Sequence, residues 1–211
     1  MTGERSYSQE GEDRILARLF DSAREGFYVD VGALHPMRFS NTFLFYRRGW
    51  RGVNIDAMPG SMRLFERCRP RDTNVEAGIG LTAGSIPFYV FNEPALNSFD
   101  RELSESRDVA PYKIQKVIDV RVSPLNEVLG GCLPHGNVPS FLTVDVEGRD
   151  LDVLRSNDWS AFRPTYVLAE CLGMTVEEAM QGPVSEFMSS VGYHFIAKTV
   201  NTAFYQAGDS R

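Results

Sequence analysis

The stretch from Phe27 to Pro36, Phe-Tyr-Val-Asp-Val-Gly-Ala-Leu-His-Pro, constrains this chain more than any other. Four of the five residues from Phe27 to Val31 are apolar or aromatic, which predicts a parallel core strand buried on both faces. Asp30 is the one charge in it. An unpaired buried charge is costly, so Asp30 is expected to hold either a ligand or the loop that follows. The strand stops at Gly32, and in an open α/β sheet ligands bind beyond the carboxyl ends of such strands.

The remaining sequence gives that strand neighbours. A length of 211 residues predicts one domain, residues 1–211, and 43% hydrophobic with 24% charged residues is the composition of a globular protein. A net charge of -6 argues against nucleic acid as partner, since phosphate binding needs excess Lys and Arg. No apolar run approaches the roughly 18 residues of a membrane span, and the first ten residues lack a signal-peptide pattern. A cytoplasmic protein with no membrane partner is therefore expected, its oligomeric state open. Cys68, Cys132 and Cys171 form no Cys-x-x-Cys pair and read as buried thiols.

Ser8 is expected to cap a helix with Glu10, Glu12 and Asp13 in its first turn and Ile15, Leu16, Leu19 and Phe20 on one face. Ser40 caps a short aromatic helix reaching about Arg48, with Gly49 as its stop. Gly52 to Asp56 is a second strand ending in an acid. Pro59 suits the first position of a helix that Pro70 ends. Thr73 to Ala77 is a third strand, and the glycines at 78, 80 and 84 read as turns. Ile86 to Phe91 is a peripheral strand because Pro87 cannot donate to a ladder. Residues 92–116 read as an insertion beside the mouth of the site, giving way to a half-buried strand from Lys116 to Val122 and a helix from Leu125 to Leu129. Gly130-Gly131 and Pro134 to Pro139 read as loop. Ser140 to Val146 is a second strongly apolar strand, in which Asp145 echoes Asp30. After another helix, Tyr166 to Glu170 again ends in an acid. Helices from Thr175, broken at Gly182-Pro183, lead to two strands, Tyr193 to Ala197 and Thr202 to Gln206. The last two are too close for a helical crossover and must form an antiparallel hairpin.

The loop after the first strand narrows the ligand. Dinucleotide binding uses Gly-x-Gly-x-x-Gly, but Gly32 is followed by Ala33, Leu34, His35 and Pro36. A nucleoside cofactor without phosphates needs one close backbone approach at Gly32 and an acid after the second strand for its ribose. Asp56, 26 residues after Asp30, has that place, and S-adenosylmethionine is the cofactor that fits.

Tyr7-Ser-Gln-Glu-Gly-Glu-Asp13, Tyr28-Val-Asp-Val-Gly-Ala33, Ser40-Asn-Thr42, Gly49-Trp-Arg-Gly52 with Ile55-Asp-Ala57, Arg69-Pro-Arg-Asp72, Asp145-Val-Glu-Gly148 and Lys198-Thr-Val-Asn-Thr202 together resemble the FkbM family of S-adenosylmethionine-dependent methyltransferases. One position departs: the family often carries a second histidine where this chain has Leu34. The resemblance implies a class I methyltransferase (Rossmann-like) three-layer α/β sandwich, mostly parallel with a C-terminal antiparallel hairpin. It also implies methyl transfer, usually to a hydroxyl of a polyketide, sugar or polysaccharide, so a small-molecule or glycan acceptor is expected.

In that setting Tyr7, Gln9, Asp30, Gly32, Ala33, Asn41, Thr42, Asp56, Ala57, Ala77 and Asp145 are the candidate cofactor residues, Tyr7 and Gln9 on the resemblance alone. Removing a proton from an unactivated hydroxyl needs a base or a metal, and Glu147, Asp145 and then His35 are the candidate bases. A divalent cation such as magnesium would use Asp145, Glu147 and His194. Each also has a plain structural reading: Asp30 holds its loop, Asp56 is a surface acid, Asp145 and Glu147 cap the next helix, Ser40, Asn41 and Thr42 cap theirs, and His35, His135 and His194 are solvated or packed. The rival functions are N-methyl transfer, a non-catalytic cofactor-binding scaffold, and a nicotinamide-dependent oxidoreductase, against which the missing glycines count.

Overall fold

Long apolar runs separated by amphipathic helices can bury both faces of a sheet only by wrapping it in helices, and the chain does so. The computed structural model describes residues 5–21, 23–133 and 138–208. Its first part runs α1 (Glu12–Leu19), β1 (Phe27–Val31), α2 (Phe43–Arg47), β2 (Arg51–Asp56), α3 (Met62–Cys68) and β3 (Thr73–Glu76). A middle part follows, with β4 (Gly78–Ile79), β5 (Gly84–Phe91), a single 3-10 turn at Pro94–Leu96, α4 (Arg101–Arg107) and β6 (Ile114–Ser123). The last part is α5 (Leu125–Cys132), β7 (Phe141–Val144), α6 (Asp150–Arg155), β8 (Tyr166–Glu170), α7 (Val176–Gln181), α8 (Pro183–Ser190), β9 (Tyr193–Lys198) and β10 (Thr202–Ala207).

The main sheet has the order β3-β2-β1-β7-β8-β10-β9. Its first five strands are parallel, and the hairpin adds antiparallel strands, with β10 inserted between β8 and β9. β1 is central: Val29 pairs with Val53 on one side and Leu142 on the other, which explains its apolar composition. On one face Val29, Val53, Leu142 and Val167 pack against Leu125 of α5, Val153 of α6 and Met188 of α8. On the other, Tyr28, Phe141, Leu168 and Phe204 meet Leu16 of α1 and Leu44 and Phe45 of α2. Side chains of this size, fully buried, contribute about 1.5–3 kcal/mol each.

The second face also buries a polar network. Arg69, 0% exposed, donates to Asp72 at 2.7 Å, to the Tyr28 hydroxyl at 2.8 Å and to Thr42 Oγ1 at 2.9 Å. Thr42 in turn donates to Asp30 at 2.7 Å, and Asp72 accepts from Tyr28, Asn54 and the Gly52 amide. Burial pushes the Asp30 carboxyl up to about 6, opposed chiefly by the Arg69 charge.

Several local expectations are corrected. Gly78 and Gly84 belong to strands, not turns: β4, β6 and β5 form a second sheet in that order, β4 parallel and β5 antiparallel to β6. Gly78 sits where a Cβ would come within 2.8 Å of Phe99 and Val122, so close packing explains it. Gly130 and Gly131 lie in α5, because burial of Leu125 and Leu129 outweighs a helix penalty of about 1 kcal/mol for each glycine. Pro59 lies in the turn before α3 rather than in its first position. β7 ends at Val144, which leaves Asp145 beyond the strand. α1 is capped by Gly11, although Ser8 Oγ accepts from the Gly11 and Asp13 amides at 3.1 and 3.3 Å. His135 lies outside the described residues. Among the described residues no helix is long and apolar enough to cross a membrane.

Candidate functional site

The carboxyl ends of β1, β2 and β7 lie side by side and floor a cavity of about 360 Å³. Gly32 leaves β1 with φ 84, and a Cβ there would stand 1.7 Å from the Asp145 carbonyl oxygen. The glycine is therefore required by the chain leaving β7, which passes against it, and this contact brings Asp145 to the cavity. Ile55, Met58 and Leu64 form one apolar wall, and Phe88 and Phe99 of the middle part form the other.

Asp56 ends β2 at the cavity edge. Its two oxygens accept from the Leu34 and Met58 amides, both at 2.9 Å, so it braces the loop after β1 while facing the cavity. Burial raises its pKa, and those two amides oppose the rise. The nearby Ser61 hydroxyl also favours the charged form, yet Ser61 Oγ is buried without a well-formed hydrogen bond. Gln9, Gly32, Ala57, Ala77 and Asp145 line the same cavity as expected candidates.

Other candidates are placed elsewhere. Asp30 points to the opposite face of the sheet, where Thr42 donates to it, so both belong to the Arg69 network. Ala33 packs with Met62 and Phe65. Tyr7 stacks edge-on against Phe43 at 4.8 Å, and its hydroxyl accepts from Arg47. His35 lines neither this cavity nor its neighbour: its Nδ1 accepts from the Met37 and Arg38 amides at 3.1 and 3.0 Å, and burial with the Arg38 charge lowers its pKa. Its ring stabilises a turn.

A second cavity of about 170 Å³ adjoins the first through Gln9, Phe39, Ala95, Asp145 and Glu147. Asn41 lines it and donates to Thr143 Oγ1 at 2.9 Å. Its far side joins distant parts of the chain: Glu10 accepts from Asn201 through both carboxylate oxygens at 2.8 and 2.7 Å, and Glu12 accepts from Thr199 at 3.0 Å. These two acids bind the hairpin, a role beyond the helix dipole.

Asp145, Glu147 and Glu170 offer carboxylate oxygens that all lie within 4.8 Å of one another. Protein crowds Asp145, and the surface it exposes faces the two cavities. Burial, then the charges of Glu147, Asp150 and Asp30, hold its carboxyl well above the usual range. Burial raises Glu147 as well, against the Arg107 guanidinium 2.5 Å away. Glu147 adopts φ 55, and its carbonyl accepts from Ser98 at 2.7 Å, which fixes this unusual backbone. Burial with the charges of Asp145, Glu147 and Asp150 pushes Glu170 up to about 11, while Asp150, whose Oδ1 accepts from the Glu170 amide, is pushed up to about 7 chiefly by burial. Neither Asp145 nor Glu147 caps α6, whose cap is Arg149.

The expected cation set is not assembled. His194 pairs with Gln206, which pairs with Tyr166 at the start of β8, so it stands at the opposite end of the sheet from Glu170. Glu170 takes the place expected of it. The signal for Glu170 was its position as the terminal acid of a core strand; nothing in the sequence signals Arg107.

Residues 30–195 match the sequence family described as the Methyltransferase FkbM domain. No curated protein matches the chain. Among solved structures, the precorrin-6Y C5,15-methyltransferase of Geobacter metallireducens GS-15 gives a TM-score of 0.49 at 12% identity, covering 100% of this chain and 94% of that one. A TehB-like SAM-dependent methyltransferase from Corynebacterium glutamicum gives 0.45 at 9% identity, covering 94% and 88%. Similarities at this level concern the fold and say nothing about the acceptor.

Proposed function

The chain belongs to the FkbM methyltransferase family, and from that premise we propose that it methylates a hydroxyl oxygen on a carbohydrate or other secondary metabolite, with Asp145 taking the hydroxyl proton. S-adenosylmethionine is the cofactor expected of this family and fold; when bound, it supplies a methyl group already activated on a sulfonium. The larger cavity suits it. The apolar walls match a nucleoside base, Asp56 would take the ribose hydroxyls beside Gly32, and Ser61 Oγ is a buried polar atom lacking a partner. Gln9, Ala57 and Ala77 would complete the contact.

One observation carries the choice of base: Asp145 lies where the two cavities meet. A group that accepts a proton from the acceptor while lining the cofactor cavity must stand at that junction. Glu147 is held by Arg107 and shapes the junction. Met58, Phe88 and Phe99 give the larger cavity an apolar lining.

Calorimetry with S-adenosylhomocysteine tests the cofactor reading: heat of binding is expected, and its absence at millimolar ligand would refute it. The three carboxylates also form an oxygen set that a hard cation can use. Full turnover after chelator treatment leaves them as base and neighbours, whereas loss that magnesium restores makes them ligands.

A further inference from the structure

The smaller cavity has a character that a methyl donor does not explain. Five carboxylates, Glu10, Glu12, Asp145, Glu147 and Glu170, line it against one guanidinium, Arg107. Three of the five have partners within the protein: Glu10 and Glu12 bind the hairpin, and Glu147 pairs with Arg107. No described residue donates a hydrogen bond to the carboxylate of Asp145 or Glu170. Both face a cavity at the carboxyl ends of two adjacent parallel strands, Asp145 just beyond β7 at the junction with the larger cavity and Glu170 at the end of β8 in the smaller cavity alone. An acceptor facing a cavity without a protein partner is open to water or to a donor that a ligand brings to it. An anionic group seated beside this cluster of carboxylates would be repelled.

Resting on the methyl-transfer reading above, we propose that the smaller cavity seats the methyl acceptor and selects a donor-rich group carrying no negative charge, a polyol or an amino sugar, over phosphorylated or carboxylated sugars. Glu170 is the specificity-determining residue. It lines the smaller cavity alone, whereas Asp145 and Glu147 line both, so its replacement separates acceptor binding from cofactor binding.

The test uses the full chain saturated with S-adenosylhomocysteine, with ligand-observed NMR for four probes: methyl glucoside, glucosamine, glucose 6-phosphate and glucuronic acid. Saturation transfer is expected to methyl glucoside or glucosamine and not to the two anions. Transfer to methyl glucoside assigns the polyol, whereas transfer to glucosamine alone assigns the ammonium group. Glu170→Gln should weaken the bound probe by about tenfold, the loss of about one hydrogen bond, with S-adenosylhomocysteine affinity unchanged. Glu170→Lys should move the preference toward glucose 6-phosphate. Equal binding of the anions by the native chain, silence of both uncharged and cationic probes, or unaltered selectivity in Glu170→Lys would overturn the proposal. Failure of S-adenosylhomocysteine to bind would instead remove the methyl-transfer reading itself.

Discussion

Two groups of acids occupy different parts of the same sheet. Behind the sheet, Asp30 and Asp72 share Arg69, Tyr28 and Thr42, in a fully enclosed network. At the ends of the strands, Asp145, Glu147, Asp150 and Glu170 share Arg107, which pairs with Glu147 alone. The first group is close to charge balance and touches no cavity. The second carries excess negative charge and opens onto two. Balanced buried charge serves as framework; an imbalance facing a cavity is where a ligand completes the electrostatics.

The sharpest way to break this contrast is stability. Replacing Arg69 by Met leaves two acids buried without their cation and should cost about 3–5 kcal/mol in urea unfolding. Asp145→Asn and Glu170→Gln should leave stability unchanged or raise it, and equal losses at all three positions would erase the distinction. Next comes turnover: Asp145→Asn should lower methyl transfer by roughly a hundredfold or more while calorimetry shows native cofactor affinity. Retained activity would move the base elsewhere. Asp56→Ala should weaken S-adenosylhomocysteine by about 1–3 kcal/mol, and an unchanged affinity would leave Asp56 as a brace for the Leu34 loop only.

The contrast also extends to pH dependence. Asp30, Asp150 and Glu170 have native pKa values raised to about 6, 7 and 11, so the native state holds protons that the unfolded chain gives up near pH 4. Folding stability should therefore fall as pH rises above 4, with Asp30 and Asp150 contributing up to about pH 7 and Glu170 continuing beyond it. Melting temperatures should decline between neutral and alkaline pH, and Glu170→Gln should flatten that limb. A native chain whose stability rises across this range would contradict the raised values.

The same contrast explains what could be read in the sequence. β1, β2, β7, β8 and the hairpin were legible because each is an apolar run of strand length with a clear stop, and Gly32 and Asp56 followed from them. Asp30 and Asp145 looked alike, an acid in an apolar run. They differ because β7 ends one residue before Asp145, whereas Asp30 lies inside β1 with its side chain turned to the face of α2. Strand ends depend on pairing partners, which one sequence does not display. His194 failed as a ligand for a related reason: strand direction decides which end of the sheet a residue occupies. The second sheet was only partly legible, since β4 has two residues and pairs with Val122 and Ser123 far along the chain.

The contacts of Glu10 and Glu12 with Thr199, Asn201 and Thr202 span about 190 positions. During synthesis, every residue lining the larger cavity, through Glu147, is joined to the chain before Glu170 or Asn201 exists. A chain cut before the hairpin thus carries every residue that lines the larger cavity, while the smaller still lacks Asn201 and Thr202. The smaller cavity is completed only when the segment of Glu10 and Glu12 meets the hairpin.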